Sequence, residues 1–267
     1  MIKIAEAFTQ SKKAFITYLM AGDPDLETSA KYILTAQEAG ADLIEIGIPF
    51  SDPIAEGEVI QTAALRALQA GTRLDGVFAM IESIRDQIRI PLVFMTYLNP
   101  VYVYGYEPFF ARCADIGVSG LIIPDLPWEE QKEAKEAAAR HGIEIITLVA
   151  PTSVDRTAEI ARNAQGFIYL VSSMGVTGMR QEIDTNLEAI VEKIRQVSDI
   201  PVAIGFGIST PEQAGHVAAL ADGVIVGSAI VDIIGQHGGN AQAPLHEFIS
   251  ALKHTINTDL HLQRDHH

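Results

Sequence analysis

Cysteine is nearly missing from this 267-residue chain. Cys113 stands alone, so no internal disulfide can form, and a reducing compartment, the cytoplasm, is expected. No apolar run approaches the roughly 18 residues that span a bilayer, and the segment from Met1 to Gln10 mixes charged with apolar positions, so no membrane span is expected. Basic residues are scarce: 19 Lys and Arg stand against 34 Asp and Glu, a net charge of −15. That field repels nucleic acid and anionic membrane surfaces, and any phosphate must be held by local groups. Lysine is absent between Lys31 and Lys132, between Lys135 and Lys193, and between Lys193 and Lys253. Schiff-base aldol chemistry and a resident pyridoxal phosphate both need such a lysine at a strand end, so neither is expected. The eight histidines, at 141, 216, 237, 246, 254, 261, 266 and 267, avoid the strand-forming runs, so no zinc set is expected there. Neither a P-loop nor a strand followed by a dinucleotide-binding glycine motif occurs.

What is present is an apolar globular chain, 48% hydrophobic, with eight short β-branched runs. They are Ala14 to Met20, Asp42 to Ile48, Pro91 to Met95, Gly120 to Pro124, Glu144 to Val149, Phe167 to Val171, Pro201 to Gly205 and Gly223 to Val226. Helical periodicity fills the gaps, over Asp25 to Ala39, Pro108 to Ile116, Glu129 to Arg140, Val154 to Asn163, Leu187 to Val197 and Pro211 to Leu220. Gly40, Gly117 and Gly142 suit helix C-termini; Asp25, Ser153 and Thr210 suit N-caps. Near-continuous apolar strands joined by crossover helices form parallel sheets covered on both faces, and eight such units close into a barrel. The expected fold is one α/β domain over 1–267, a (β/α)8 TIM barrel with extra helices, one after the second strand and one over Leu245 to Ile256. The loop from Gly235 to Pro244 reads as the least ordered part, and the terminal His266-His267 is set aside.

In such barrels the chemistry gathers at the C-terminal ends of the strands. Alternation along the second run puts Ile44, Ile46 and Ile48 toward the helices and Glu45 into the barrel mouth, where desolvation raises a carboxyl pKa into the acid–base range. The following loop, Pro49 to Glu58, carries Asp52, Glu56 and Glu58 between prolines and a glycine. Glycine-containing loops after the sixth, seventh and eighth runs, Gly175 to Gly178, Gly205 to Ser209 and Gly227-Ser228, offer backbone N–H groups to a phosphate. Carboxylate acid–base chemistry on a phosphorylated substrate is what survives.

Six segments, in order and at matching spacing, resemble the tryptophan synthase α-subunit family over the whole length. They are Gly22-Asp-Pro24, Ile44-Glu-Ile-Gly-Ile-Pro-Phe-Ser-Asp-Pro53, Pro124-Asp-Leu-Pro127, Gly175-Val-Thr-Gly178, Gly205-Phe-Gly-Ile-Ser209 and Gly227-Ser-Ala-Ile-Val231. The resemblance implies retro-aldol cleavage of indole-3-glycerol phosphate to indole and glyceraldehyde 3-phosphate, without a metal or organic cofactor in this chain. It implies that Glu45 is the catalytic glutamate, with Tyr169 close by. The phosphate would lie on Gly178, Gly207, Gly227 and Ser228, with Thr177 closing the loop, and Tyr18, Tyr97 and Phe206 are candidates for the indole pocket.

One position departs from the family pattern. The family's second acid is an aspartate in an Ala-Asp-Gly-Pro segment, and here Ala55-Glu56-Gly57-Glu58 stands in its place. Glu56 is the expected second acid and Glu58 its substitute. The extra methylene shifts the carboxylate by about 1 Å, a displacement that can cost about a hundredfold in rate. By the same resemblance the partner is a β subunit carrying pyridoxal phosphate, in an α2β2 complex, with Asp52, Asn99 and Pro100 as interface candidates. Two alternatives stay open: a stand-alone lyase that releases free indole, and a non-catalytic activator of a β chain.

Overall fold

Eight strands of four to seven residues, almost wholly buried, leave the backbone no solvent partner, so each must pair on both edges, and closure removes the edges altogether. The structure, a computed structural model, describes residues 1–11, 13–150, 156–171, 180–205 and 207–262. The strands are β1 (Ala14–Met20), β2 (Leu43–Gly47), β3 (Leu92–Met95), β4 (Val118–Ile122), β5 (Glu144–Val149), β6 (Ile168–Val171), β7 (Val202–Gly205) and β8 (Gly223–Val226). They form a closed parallel barrel in sequence order, with β8 returning to pair with β1. This is the (β/α)8 fold expected from the alternating pattern.

The helices are α1 (Ala5–Thr9), α2 (Leu26–Glu38), α3 (Glu58–Gln69), α4 (Leu74–Ile84), α5 (Leu98–Tyr104), α6 (Tyr106–Ile116), α7 (Lys132–Arg140), α8 (Thr157–Asn163), α9 (Arg180–Arg195), α10 (Pro211–Leu220), α11 (Ser228–His237) and α12 (Gln242–Leu262). The extra helix after β2 is α3 or α4, since two helices fill that gap. Helix α5 is a further addition that the sequence periodicity did not single out. Asp25 caps α2 through Thr28, and Thr210 forms a capping box with Gln213 at α10. Ser153 lies outside the described residues. Gly117 closes α6 in the left-handed conformation, at φ 87°.

Two apolar layers hold the barrel. Ile16, Leu43, Val93, Ile122, Ile146, Phe167, Ala203 and Ile225 point inward, and Ile4 and Ala7 plug the N-terminal end beneath them. The outward side chains, including Phe15, Ile44, Ile46 and Phe94, pack beneath the helices. Each such buried residue contributes about 1.5–3 kcal/mol, which outweighs any single polar contact in the shell. The N-terminal plug leaves only the opposite mouth open.

The segment from Gly235 to Pro244, expected to be the least ordered, is largely helical. Helix α11 runs to His237, Gly238–Asn240 forms a 3-10 turn, and α12 starts at Gln242. The Tyr32 hydroxyl donates to the Gly238 carbonyl and accepts from the Ala241 N–H at 3.1 Å. That tertiary anchor overrides the loop-like Gly/Asn/Gln composition.

Candidate active site

Glu45 sits in the middle of β2 with its side chain inside the barrel, 1% exposed. Its Oε2 has no hydrogen-bond partner among the described residues. Burial, reinforced by the charge of Glu56, pushes its carboxyl up to about 8. At neutral pH it is therefore mainly protonated, and able both to give a proton and to take one back.

Strand pairing sets its neighbours. Tyr18 of β1 is in register with Glu45. Desolvation and the surrounding carboxylates raise the Tyr18 phenol well above its ordinary value; desolvation and Glu45 do the same to Tyr169 on β6. Both phenols stay protonated. Room for them comes from glycines: a Cβ on Gly47 would fall 2.0 Å from the Tyr18 hydroxyl, and one on Gly205 would fall 2.8 Å from that of Tyr169.

These groups open into a cavity of about 400 Å³ at the C-terminal mouth, a volume suited to a small organic ligand. Glu45, Glu56, Tyr18, Tyr169, Gly207, Gly227 and Ser228 all line it. Helix α11 begins at Ser228 directly after Gly227, so the unpaired N–H groups of its first turn and its positive dipole end face the cavity rim. Gly207, at φ 77°, adds backbone from the β7 loop. Gly178, Thr177 and Phe206 lie outside the described residues.

The β2 loop separates its three acids. Glu56 is partly buried and lines the cavity; desolvation raises its carboxyl, while a hydrogen bond from the Tyr97 hydroxyl opposes the rise. Glu58 is exposed, at the first turn of α3. Asp52 is exposed and accepts the Ser51 hydroxyl at 2.6 Å. Tyr97 does not line the cavity. Its hydroxyl accepts the N–H groups of Ile54 and Ala55 at 3.1 and 3.0 Å, so it braces the loop from behind. Asn99 is exposed and Pro100 half-buried, both on α5.

The cavity also takes in residues that sequence reasoning passed over: Ile60, Met95, Trp128, Leu148, Arg156 and Ile160. Met95 and Leu148 could have been found by inward alternation along their strands, and Gly47 by its isolation within an apolar strand. Trp128 and Arg156 give no such signal, because one sits on a 3-10 turn and the other at the N-cap of α8. Among the described residues no cluster of three or more His, Cys, Asp or Glu side chains is arranged to hold a metal ion. No helix among them is long and apolar enough to cross a membrane.

Comparison with known proteins follows the same geometry. The family model described as tryptophan synthase alpha chain matches residues 4–258. The chain is 48% identical over 257 residues to the tryptophan synthase alpha chain of Lacticaseibacillus casei, covering 96% of each. It is 50% identical to that of Synechococcus elongatus, over 92% of this chain and 94% of the relative. Among solved structures, tryptophan synthase subunit alpha from Legionella pneumophila superposes with a TM-score of 0.87 at 34% identity, covering 96% of this chain and 98% of that one. A chain of the tryptophan synthase complex from Pyrococcus furiosus gives a TM-score of 0.81 at 37% identity, covering 91% and 98%. A shared barrel alone would say little of chemistry, but identity at this level over nearly the whole length is decisive: the chain belongs to the tryptophan synthase alpha chain family.

Proposed function

We propose that this chain cleaves indole-3-glycerol phosphate by a retro-aldol reaction, releasing indole and glyceraldehyde 3-phosphate. One observation carries the reading: a fully buried carboxyl, Glu45, faces a cavity whose rim presents the N-terminus of α11. A substrate with a phosphate at one end and a proton-accepting carbon at the other matches that pair.

The sequence of steps follows from the protonation states. The protonated Glu45 delivers its proton to C3 of the indole ring, which becomes an indolenine with positive character at nitrogen. Glu56, ionised, steadies that charge at N1. Glu45, now a carboxylate, takes the proton from the hydroxyl on the carbon attached to C3. The carbon–carbon bond breaks, its electron pair returns to the ring, and an aldehyde forms on the departing chain. Backbone N–H groups at Gly207, Gly227 and Ser228 hold the phosphate throughout; their dipoles supply the positive potential that a strongly acidic protein otherwise lacks. Tyr18 and Tyr169 shape the pocket around the ring. Glu58 takes no part.

Indole leaves neutral and able to cross membranes, so its production is best coupled to its consumption. The reading pairs the chain with a β subunit that carries pyridoxal phosphate; that cofactor works in the partner, and none is needed here. One solved relative is itself described as a tryptophan synthase complex. On this chain the side chains of Ile54, Tyr102 and Val103 are 78%, 68% and 77% exposed, on the β2 loop and α5, which Tyr97 ties together. With Asp52, Asn99 and Pro100 they form a mixed apolar and polar face of the kind that partners cover. The work belongs in the cytoplasm.

The test is a spectroscopic assay of indole release by wild type, Glu45→Gln and Glu56→Asp, with and without a β subunit. Glu45→Gln is expected to lose at least about a hundredfold in rate, and Glu56→Asp to match or exceed wild type. Full activity in Glu45→Gln would refute the mechanism.

A further inference from the structure

In the reaction above Tyr18 serves only as part of the cavity wall, yet its hydroxyl is buried and has no hydrogen-bond partner among the described residues. The ring is fixed at both ends. At the rim, a Cβ on Gly227 would come within 3.2 Å of the Tyr18 Cβ. At the other end the hydroxyl lies over Gly47, where any Cβ would fall 2.0 Å away. Gly47 follows Glu45 by two residues on the same face of β2, so the phenol oxygen sits one pleat above the Glu45 carboxyl, toward the mouth. Burial and then the charges of Glu56 and Glu45 keep it protonated, which makes it a donor.

The ring therefore runs from the phosphate rim to the acids, alongside the path that a substrate must bridge if it is gripped at one end and cleaved at the other. A buried donor with no partner is a standing cost to the folded protein. Glu45 Oε2 carries the same cost at the same mouth. Two buried polar atoms without partners, on two residues that line one cavity, call for the polar part of a ligand, and here that part is the hydroxylated three-carbon chain between phosphate and ring.

We propose that the Tyr18 hydroxyl is a substrate-binding donor that hydrogen-bonds a hydroxyl of the glycerol chain, and so selects a hydroxylated linker between phosphate and indole. The proposal rests on the cleavage reaction stated above. Phenylalanine at this position would give the same ring, the same packing and no such bond.

Three measurements on Tyr18→Phe test it: steady-state cleavage of indole-3-glycerol phosphate, inhibition by an indole bearing a phosphopropyl chain without hydroxyls, and thermal unfolding without ligand. The expected results are a fall in kcat/KM of roughly ten- to a hundredfold, an unchanged inhibition constant for the chain-deoxygenated compound, and a melting temperature no lower than that of wild type. An unchanged kcat/KM overturns the proposal. So does an equal loss of affinity for the deoxygenated compound, which would make ring packing the cause, or a drop in melting temperature, which would reveal a structural partner. A loss that vanishes in a Glu56→Gln background overturns it too, because the hydroxyl would then act through Glu56. If wild type itself releases no indole, the reaction assignment fails and this proposal fails with it; an active wild type with an equally active Tyr18→Phe sinks the proposal alone.

Discussion

The Tyr97 hydroxyl stands behind the β2 loop: it accepts the N–H groups of Ile54 and Ala55 at 3.1 and 3.0 Å, and its hydrogen-bonding influence holds the Glu56 carboxyl down against the burial that raises it. The β2 loop is thereby pinned to the β3 end beside Glu56, the residue proposed to meet the indole nitrogen.

Removing that hydroxyl should act on rate more than on stability. Tyr97→Phe is expected to lower kcat by about tenfold, because the loop loses its brace and Glu56 its alignment. The lost bond favoured the ionised carboxylate, so the Glu56 pKa should rise and the acidic limb of the kcat/KM profile should move to higher pH. Melting temperature should change little, since the loop amides can turn to water. An acidic limb that stays in place while kcat falls would show that Tyr97 does not act through Glu56.

Glu45 links activity and stability to pH with a definite sign. Its folded pKa, about 8, lies above the unfolded value of 4.5, so the native state holds a proton that the unfolded chain has lost across that interval. The stability tied to this group is complete below pH 4.5 and is lost as pH rises through about 8. Glu45→Gln removes the dependence. Thermal unfolding at pH 5, 7 and 9 should show the variant gaining on wild type as pH rises. Cleavage by wild type should decline on the alkaline side near the same pH, because the proton for C3 is then missing. Parallel pH–stability curves for the two proteins would contradict the assignment.

The barrel was legible because periodicity carries it: eight apolar runs, each bounded by glycine or proline, are what a parallel sheet covered on both faces requires. Glu45 was legible for the same reason, since a lone acid among isoleucines can point only one way. Tyr97 was harder. Its type suggests a pocket wall, and only the folded loop shows its hydroxyl consumed by Ile54, Ala55 and Glu56. Trp128 enters the cavity wall from a 3-10 turn and Arg156 from the N-cap of α8, where neither period applies. The Gly238 turn failed in the opposite sense, because a hydroxyl from Tyr32, far away in sequence, orders a stretch that looks disordered by composition.

The two glutamates of the β2 loop can be told apart directly. Glu56 lines the cavity and Glu58 is exposed on α3. Glu56→Gln keeps the volume but loses the charge at the ring nitrogen, and should reduce kcat by roughly a hundredfold. Glu58→Gln should leave both kcat and KM within experimental scatter. The measurement is steady-state indole release at saturating and limiting substrate, and a larger effect at 58 than at 56 would reverse the roles.

Asp23 and Arg66 bear on the geometry of both ends of the site. Asp23, buried just past β1, receives Arg66 Nε and Nη2 of α3 at 2.8 and 2.7 Å. The same guanidinium lies against Gly235 of α11, where a Cβ would sit 3.2 Å from Nη2. The ion pair thus ties α3, the helix that follows Glu56, to the chain just past β1, while its guanidinium lies beside α11, the helix proposed to hold the phosphate. Asp23→Ala leaves the guanidinium without its forked acceptor, and because Arg66 keeps a third of its exposure the cost should be about 2 kcal/mol rather than the full penalty of a sealed pair. In a chain of this size that lowers the melting temperature by several degrees. With α3 less firmly held to the β1 end beneath the cavity, KM should rise more than kcat falls, because the proposed substrate lies along both. A double-mutant cycle decides the cause. If Asp23→Ala and Arg66→Ala are strictly additive, the pair contributes nothing jointly; the expected result is that the second substitution adds little to the first.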